Sequence, residues 1–137
     1  MGYRWSARSA ARLSTCHHVL VALFDQAIET SPADMTVLCG HRGEEEQNAA
    51  FNSGASKLQW PKSKHNRSPS LAVDVAPWVC GAVSWDWPDY YPLADHIKAT
   101  WASLPPEVTA GWRLQWGGDW RSFRDGPHWE LVPARGA

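Results

Sequence analysis

Several large protein classes are excluded by what this sequence has little of. Three cysteines, Cys16, Cys39 and Cys80, are too few and too widely spaced for a disulfide framework. No CxxC pair suggests a cysteine-rich metal site, so reduced and mostly buried thiols are expected, as in a reducing cytoplasm. No apolar run is long enough for a signal peptide or a membrane span. Thirteen Lys and Arg stand against fourteen Asp and Glu, a net charge of −1. That balance gives no basic excess for nucleic acid or for an anionic membrane. No repeat, low-complexity tract or long linker divides the 137 residues, which read as one domain, 1–137.

What the chain has in plenty is tryptophan, ten residues, most of them between Trp85 and Trp129. An indole buries a large apolar area and keeps one polar handle. Most of the ten are therefore expected to fill a small core and its edges, with one or two at the rim of a cleft.

Periodicity supplies the elements. Leu13, His17, Leu20, Phe24 and Ile28 recur at three- and four-residue spacing, which predicts a helix from about Ser9 to Thr30, ended by Ser31-Pro32. Met35 to Cys39 reads as a strand, and Glu44 to Asn52 as a helix with acids in its first turn. Residues 55 to 70 lack periodicity and read as an ordered loop. Leu71 to Pro77 alternates, with Leu71, Val73 and Val75 on one side and Ala72, Asp74 and Ala76 on the other. Pro92 to Leu104 reads as a third helix, and Trp112 to Trp116 and His128 to Val132 as two further strands. Helices and strands mix without regular βαβ alternation. The expectation is an α+β domain with a small, mainly antiparallel sheet and flanking helices.

Two segments carry the chemistry. Ser63-Lys64-His65-Asn66 places a histidine in the loop, and nine positions later Asp74 sits inside an apolar strand. A buried carboxylate needs a cation or several donors, so Asp74 alone is as consistent with an arginine partner as with a metal. Asp125-Gly126-Pro127-His128-Trp129-Glu130-Leu131 then puts a histidine at the start of a strand, an acid three residues before it, and Glu130 on the same strand face. Two histidines and one carboxylate make a common catalytic zinc set, with the fourth tetrahedral position left for water. In such a set Asp125 is placed to move the water's proton to a leaving nitrogen, and Glu130 to orient His128. Glu130 as the base is the alternative. His17 and His18 read as core-edge and surface residues, His96 as structural and Asp119 as a turn residue, while His41 reads equally as an accessory cleft residue or a solvated turn histidine.

Taken together, SKHN…PSLAVDVAP and WGGDW…DGPHWEL resemble the zinc D-Ala-D-Ala carboxypeptidase and L-alanyl-D-glutamate endopeptidase family. That family includes many phage endolysins and is related to the vancomycin-resistance D,D-peptidases and the hedgehog signalling domain. The resemblance runs from about Val37 to Leu131 and implies zinc ligands at His65, Asp74 and His128, with Asp125 as acid/base. Eight residues separate His65 from Asp74, where many members have six. Gly40-His41-Arg42-Gly43-Glu44-Glu45-Glu46-Gln47 is similar to the family's G-x-R-x-x-x-x-Q segment. By that match Arg42 would stabilise the developing oxyanion, and Gln47 and Ser63 would support substrate or ligand orientation; an ion pair of Arg42 with Glu44 to Glu46 is the bland alternative.

The resemblance implies a Zn2+-dependent, endolysin-type L-alanyl-D-glutamate endopeptidase acting on peptidoglycan stem peptides during lysis. It would be a monomer without nucleic-acid or membrane partners, made in the host cytoplasm and released by a separate pore. A D-alanyl-D-alanine carboxypeptidase is the enzymatic rival, and a non-catalytic zinc-stabilised binding module the rival from another class.

Overall fold

The computed structural model describes residues 2–134. The first expected helix is two. Helix α1 covers Ala7–Leu13, with Ser6 Oγ accepting from the Ser9 N–H at 3.1 Å, and α2 covers His18–Glu29. No proline or glycine marks the break between them. Tertiary contacts make it: the His17 N–H donates to the Ser70 carbonyl at 2.8 Å, and the Ser70 N–H donates to the Thr15 carbonyl at 3.0 Å. His17 then caps α2, its Nδ1 accepting from the Val19 N–H at 3.2 Å. The predicted apolar stripe survives the break, because Leu13, Leu20, Phe24 and Ile28 are all buried.

Strand β1 spans Met35–Cys39 and helix α3 spans Glu44–Asn52, both as expected. Strand β2, Ala72–Val79, forms a short hairpin with β3, Ala82–Val83. Its turn holds Cys80 at φ 51 and exposed, which corrects the expectation that all three thiols are mostly buried; Cys16 is buried and Cys39 partly so. Helix α4, Trp87–Ser103, begins five residues earlier than the periodicity indicated. Pro88 occupies the first turn, where no N–H is needed. Pro92 lies inside the helix, close enough to its start that it removes one backbone bond rather than breaking the element. A short α5, Pro106–Thr109, leads to β4, Trp112–Trp116, and β5 closes the chain over His128–Pro133.

The sheet is antiparallel throughout, ordered β1-β2-β5-β4 with β3 on β2. One face is covered by α2 and α4. Phe24 of α2 meets Trp129 of β5 edge-on, with ring centroids 6.3 Å apart, and Trp129 stacks on Trp116 at 5.8 Å. Burying side chains such as Leu20, Leu23 and Phe24 stabilises the fold by about 1.5–3 kcal/mol each. Among the described residues no helix is long and apolar enough to cross a membrane. The opposite face of the sheet carries polar side chains from β2 and β5.

Candidate metal centre

Strand register brings the first two residues together. Asp74 lies opposite His128, Ala72 opposite Glu130, and Val73 opposite Trp129. Opposed residues share a face, so Val73 and Trp129 enter the core while Asp74, His128 and Glu130 stand on the other side. A slip of one residue would undo this.

His65 arrives from a 3-10 turn, Lys64–Asn66, inside the expected loop. Ser63 Oγ accepts from the His65 N–H at 3.2 Å, and Asn66 Oδ1 accepts from the Ser63 N–H at 3.0 Å. The Arg42 N–H donates to the His65 carbonyl at 2.8 Å, which ties the turn to the segment after β1.

Each imidazole is anchored by its outer nitrogen. His65 Nδ1 is 2.8 Å from the Gly40 carbonyl oxygen, and His128 Nε2 is 2.7 Å from Glu130 Oε1. An acceptor at each outer position keeps the proton there and leaves the inner nitrogen to bind a second proton or a metal ion. Both inner nitrogens meet one atom, Asp74 Oδ1, at 3.2 Å from His65 Nε2 and 3.3 Å from His128 Nδ1. Among the described residues, ligand-capable atoms form two overlapping sets within 4.8 Å, Cys39–His65–Asp74 and Asp74–Asp125–His128. Asp74 is their common member, and His65 and His128 fall in different sets, so the structure brings each imidazole to Asp74 but does not gather all three within 4.8 Å of one another. Cys39, unlike the other members of these sets, does not line the cleft beside them.

The cleft measures about 640 Å³ and has His65, Asp74, Asp125 and His128 in its wall, together with Arg42 and Glu130. Asp125 is positioned by backbone: its N–H donates to the Gly117 carbonyl at 3.0 Å, and its carbonyl accepts from the His128 N–H at 3.2 Å. Gly117 is required here, because a Cβ would collide with the Asp125 carbonyl oxygen. Among the described residues the Asp125 carboxylate has no hydrogen-bond or ion-pair partner, whereas Glu130 is engaged by His128 and, at 3.4 Å, by Lys64. Of the two carboxylates, Asp125 is the one without a partner among these residues.

A family profile described as phage L-alanyl-D-glutamate peptidase matches residues 1–132. The chain belongs to that family. It is 29% identical to the L-alanyl-D-glutamate peptidase of Escherichia phage T5, over 96% of this chain and all of that protein. It is 30% identical to the peptidoglycan L-alanyl-D-glutamate endopeptidase CwlK of Bacillus subtilis, over 73% of this chain, and the match spans 62% of the Bacillus protein's length. The solved structure of the L-Ala D-Glu endopeptidase ChiX of Serratia marcescens superposes with a TM-score of 0.76 at 30% identity, covering 94% of this chain and 90% of that one.

Within this peptidase, Arg42 pairs with neither Glu44, Glu45 nor Glu46. Its NH1 donates to Gln47 Oε1 at 3.0 Å and its NH2 lies 3.4 Å from Asp74 Oδ2. Gln47 is fully buried, so it cannot touch substrate; it braces Arg42, accepts from Asn66 Nδ2 at 3.1 Å, and donates to the Ser56 Oγ. Ser63 lines the cleft but spends its hydroxyl on the His65 turn. His96 holds the Ala27 carbonyl at 2.9 Å, and Asp119 pairs with Lys98 at 2.7 Å on the surface. Sequence reasoning missed three contributors: Trp120, whose ring lies 5.0 Å from that of His128, Asn66 and the Gly40 carbonyl. Asn66 and Gly40 sit inside the quoted motifs and were findable; nothing in the pattern pointed to Trp120.

The charges are strongly coupled. Burial works to lower His65, but the Asp74 charge and hydrogen bond overcome it and bring its pKa to about 10. His128 is raised for the same reason, burial being outweighed by hydrogen bonds to Asp74 and Glu130. Burial would lift Asp74, yet the two imidazoles hold it far below the usual carboxylate range. Asp125 is pushed up, first by burial and then by the Asp74 charge.

These shifts set the pH dependence of the metal-stripped protein. The raised His65 contributes stability in full below its ordinary value of 6.5, and this is lost as pH climbs toward about 10. The lowered Asp74 contributes above its ordinary 3.8 and loses its contribution only as pH falls further. Chelated protein should therefore be most heat-stable between those two ordinary values and should melt at steadily lower temperature above pH 6.5. A metal ion needs deprotonated imidazoles, so its stabilising effect should grow over the same rise. Melting curves with and without chelator at acidic, neutral and alkaline pH check this, and a pH-independent Tm in chelator would contradict the coupling.

Proposed function

We propose that the chain is a zinc-dependent L-alanyl-D-glutamate endopeptidase that cuts the stem peptide of peptidoglycan, with His65, Asp74 and His128 as the zinc ligands. The observation that carries the reading is the shared Asp74 Oδ1. Two imidazoles, each pinned from behind by an acceptor, turn their free nitrogens to it at 3.2 and 3.3 Å. Ligand atoms about 2.0–2.2 Å from one tetrahedral zinc lie about 3.3–3.6 Å apart, so the two spacings to Asp74 and this donor set fit the ion, while the two imidazoles would have to draw closer together to share it. The carbonyl and carboxylate behind the rings supply the outer partners that ligating histidines ordinarily have.

When bound, zinc supplies Lewis-acid polarisation of a carbonyl and acidifies water. Asp125, unpaired beside Asp74 and His128, takes the proton of the attacking water and returns it to the departing glutamyl amine. Arg42, held by Gln47 and Asp74, has guanidinium N–H groups left over for the scissile carbonyl and stabilises its negative charge as it develops. Glu130 and the Gly40 carbonyl fix the two rings. Ser63 and Gln47 act one step back, holding the His65 turn and Arg42. We place the protein as a monomeric catalytic domain over 1–137. It is made in the cytoplasm of the host, reaches the wall through a separate pore, and serves phage lysis.

Purified peptidoglycan digested with the protein should yield new L-alanine carboxyl termini and D-glutamate amino termini, and a chelator should stop the reaction. Release of free D-alanine instead would mark a carboxypeptidase and overturn the assignment of the bond.

A further inference from the structure

Three aromatic side chains stand in the cleft wall without being used by the core. Trp120 lies against His128, with ring centroids 5.0 Å apart. Phe123, from the same segment between β4 and β5, is 40% exposed, and Trp85, from the connection between β3 and α4, is 66% exposed. Among the described residues Trp85 has no aromatic partner. Phe123 holds φ at 51, a left-handed backbone that a bulky side chain seldom adopts. Strain of this kind persists where the surroundings require it and clusters at ligand sites. Lys57, from the loop across the cleft, places its Nζ 5.0 Å from the Phe123 ring centroid. These rings are presented to the cleft rather than packed away, and apolar surface left open in a binding cleft marks a contact site.

The chemistry of the substrate says what they meet. This step rests on the activity proposed above. In a peptidoglycan stem the amine of L-alanine is acylated by the lactyl group of a muramic acid. One residue spans at most about 3.6 Å, so a pyranose ring lies within roughly two residue lengths of the scissile carbonyl on its amino side. A pyranose offers a face of C–H groups to an aromatic ring. Trp120 lies beside His128, and Phe123 and Trp85 line the same cleft.

We propose that Trp120, Phe123 and Trp85 form a subsite for a sugar of the glycan strand, so that the preferred substrate is a stem peptide still attached to glycan.

The test uses the full chain and peptide-free glycan strands, prepared by stripping peptidoglycan with an amidase. Titrated strands should change the intrinsic tryptophan fluorescence saturably. Trp85→Ala and Phe123→Ala should each weaken the apparent affinity about tenfold. Trp78→Ala, which removes a similarly exposed indole outside the cleft, should leave it unchanged. In a second arm, the ratio of kcat/KM on glycan-linked stem to that on released stem peptide should favour the linked form in the parent chain. It should fall about tenfold in Trp85→Ala. Absence of strand binding, or equal loss in Trp78→Ala, overturns the subsite. Strand binding without any cut between L-alanine and D-glutamate would sink the proposed activity and leave the subsite standing. Cutting of both substrates alike, with no strand binding, would do the reverse.

Discussion

His128→Ala should purify as a folded protein with no stoichiometric zinc and with lytic activity reduced by at least about a thousandfold. That magnitude is the scale on which metal-assisted hydrolysis exceeds what the remaining groups can do. The ring removed supplies one inner nitrogen to Asp74 Oδ1 and, through its outer nitrogen, the partner of Glu130. Its loss leaves a set of one imidazole and one carboxylate, too few to hold the ion against water. Glu130 keeps Lys64 at 3.4 Å, so the fold should survive with a penalty of about 1–3 kcal/mol for the lost partner. His65→Ala should behave alike, the Gly40 carbonyl losing its imidazole partner and keeping the Ser70 hydroxyl at 3.4 Å. Metal content by mass spectrometry, a thermal melt and a turbidity assay on purified walls separate the three effects. Full lytic activity in either variant would refute the ligand assignment.

The legible parts of this protein are those governed by short-range rules. Strand alternation puts Asp74 with Ala72 and Ala76, and His128 with Glu130, on one side of its own strand, and β1, α3 and β4 follow from local pattern alone. The break at Cys16 and His17 was illegible because its cause is Ser70, more than fifty residues away in sequence. The start of α4 was misplaced because Pro92 looks like a boundary, while the true first turn is marked by Pro88. In the site, the residue types announce a metal set, but the inner-nitrogen convergence on one oxygen depends on the β2–β5 register, which no motif encodes. Gln47 shows the same limit: its motif position suggests a substrate contact, and only its burial reveals a brace for Arg42.

Asp125→Ala should keep its zinc and lose turnover by roughly 10²- to 10⁴-fold, the range in which a positioned proton-transfer group contributes. The prediction is sharp because Asp125 also falls in a ligand-capable set with Asp74 and His128. If Asp125 held the ion in place of His65, the variant would lose metal as well as activity. His65 argues against that: its outer nitrogen is fixed on Gly40 and its inner nitrogen aimed at Asp74, an arrangement that a bystander ring would not need. Asp125→Asn, nearly the same shape, should be equally inactive, since an amide cannot take the proton. In the metal-free site, burial and the Asp74 charge raise Asp125, while the histidines and Arg42 pull it back; a bound cation would pull it further down. A base must be ionised, so kcat/KM should fall on the acid side as Asp125 takes up its proton, and this acid limb should vanish from the residual activity of Asp125→Asn. Were the domain a zinc-stabilised binding module, neither substitution would alter anything but a pocket wall. Metal content and wall hydrolysis measured on the same preparation decide among the three roles for this carboxylate.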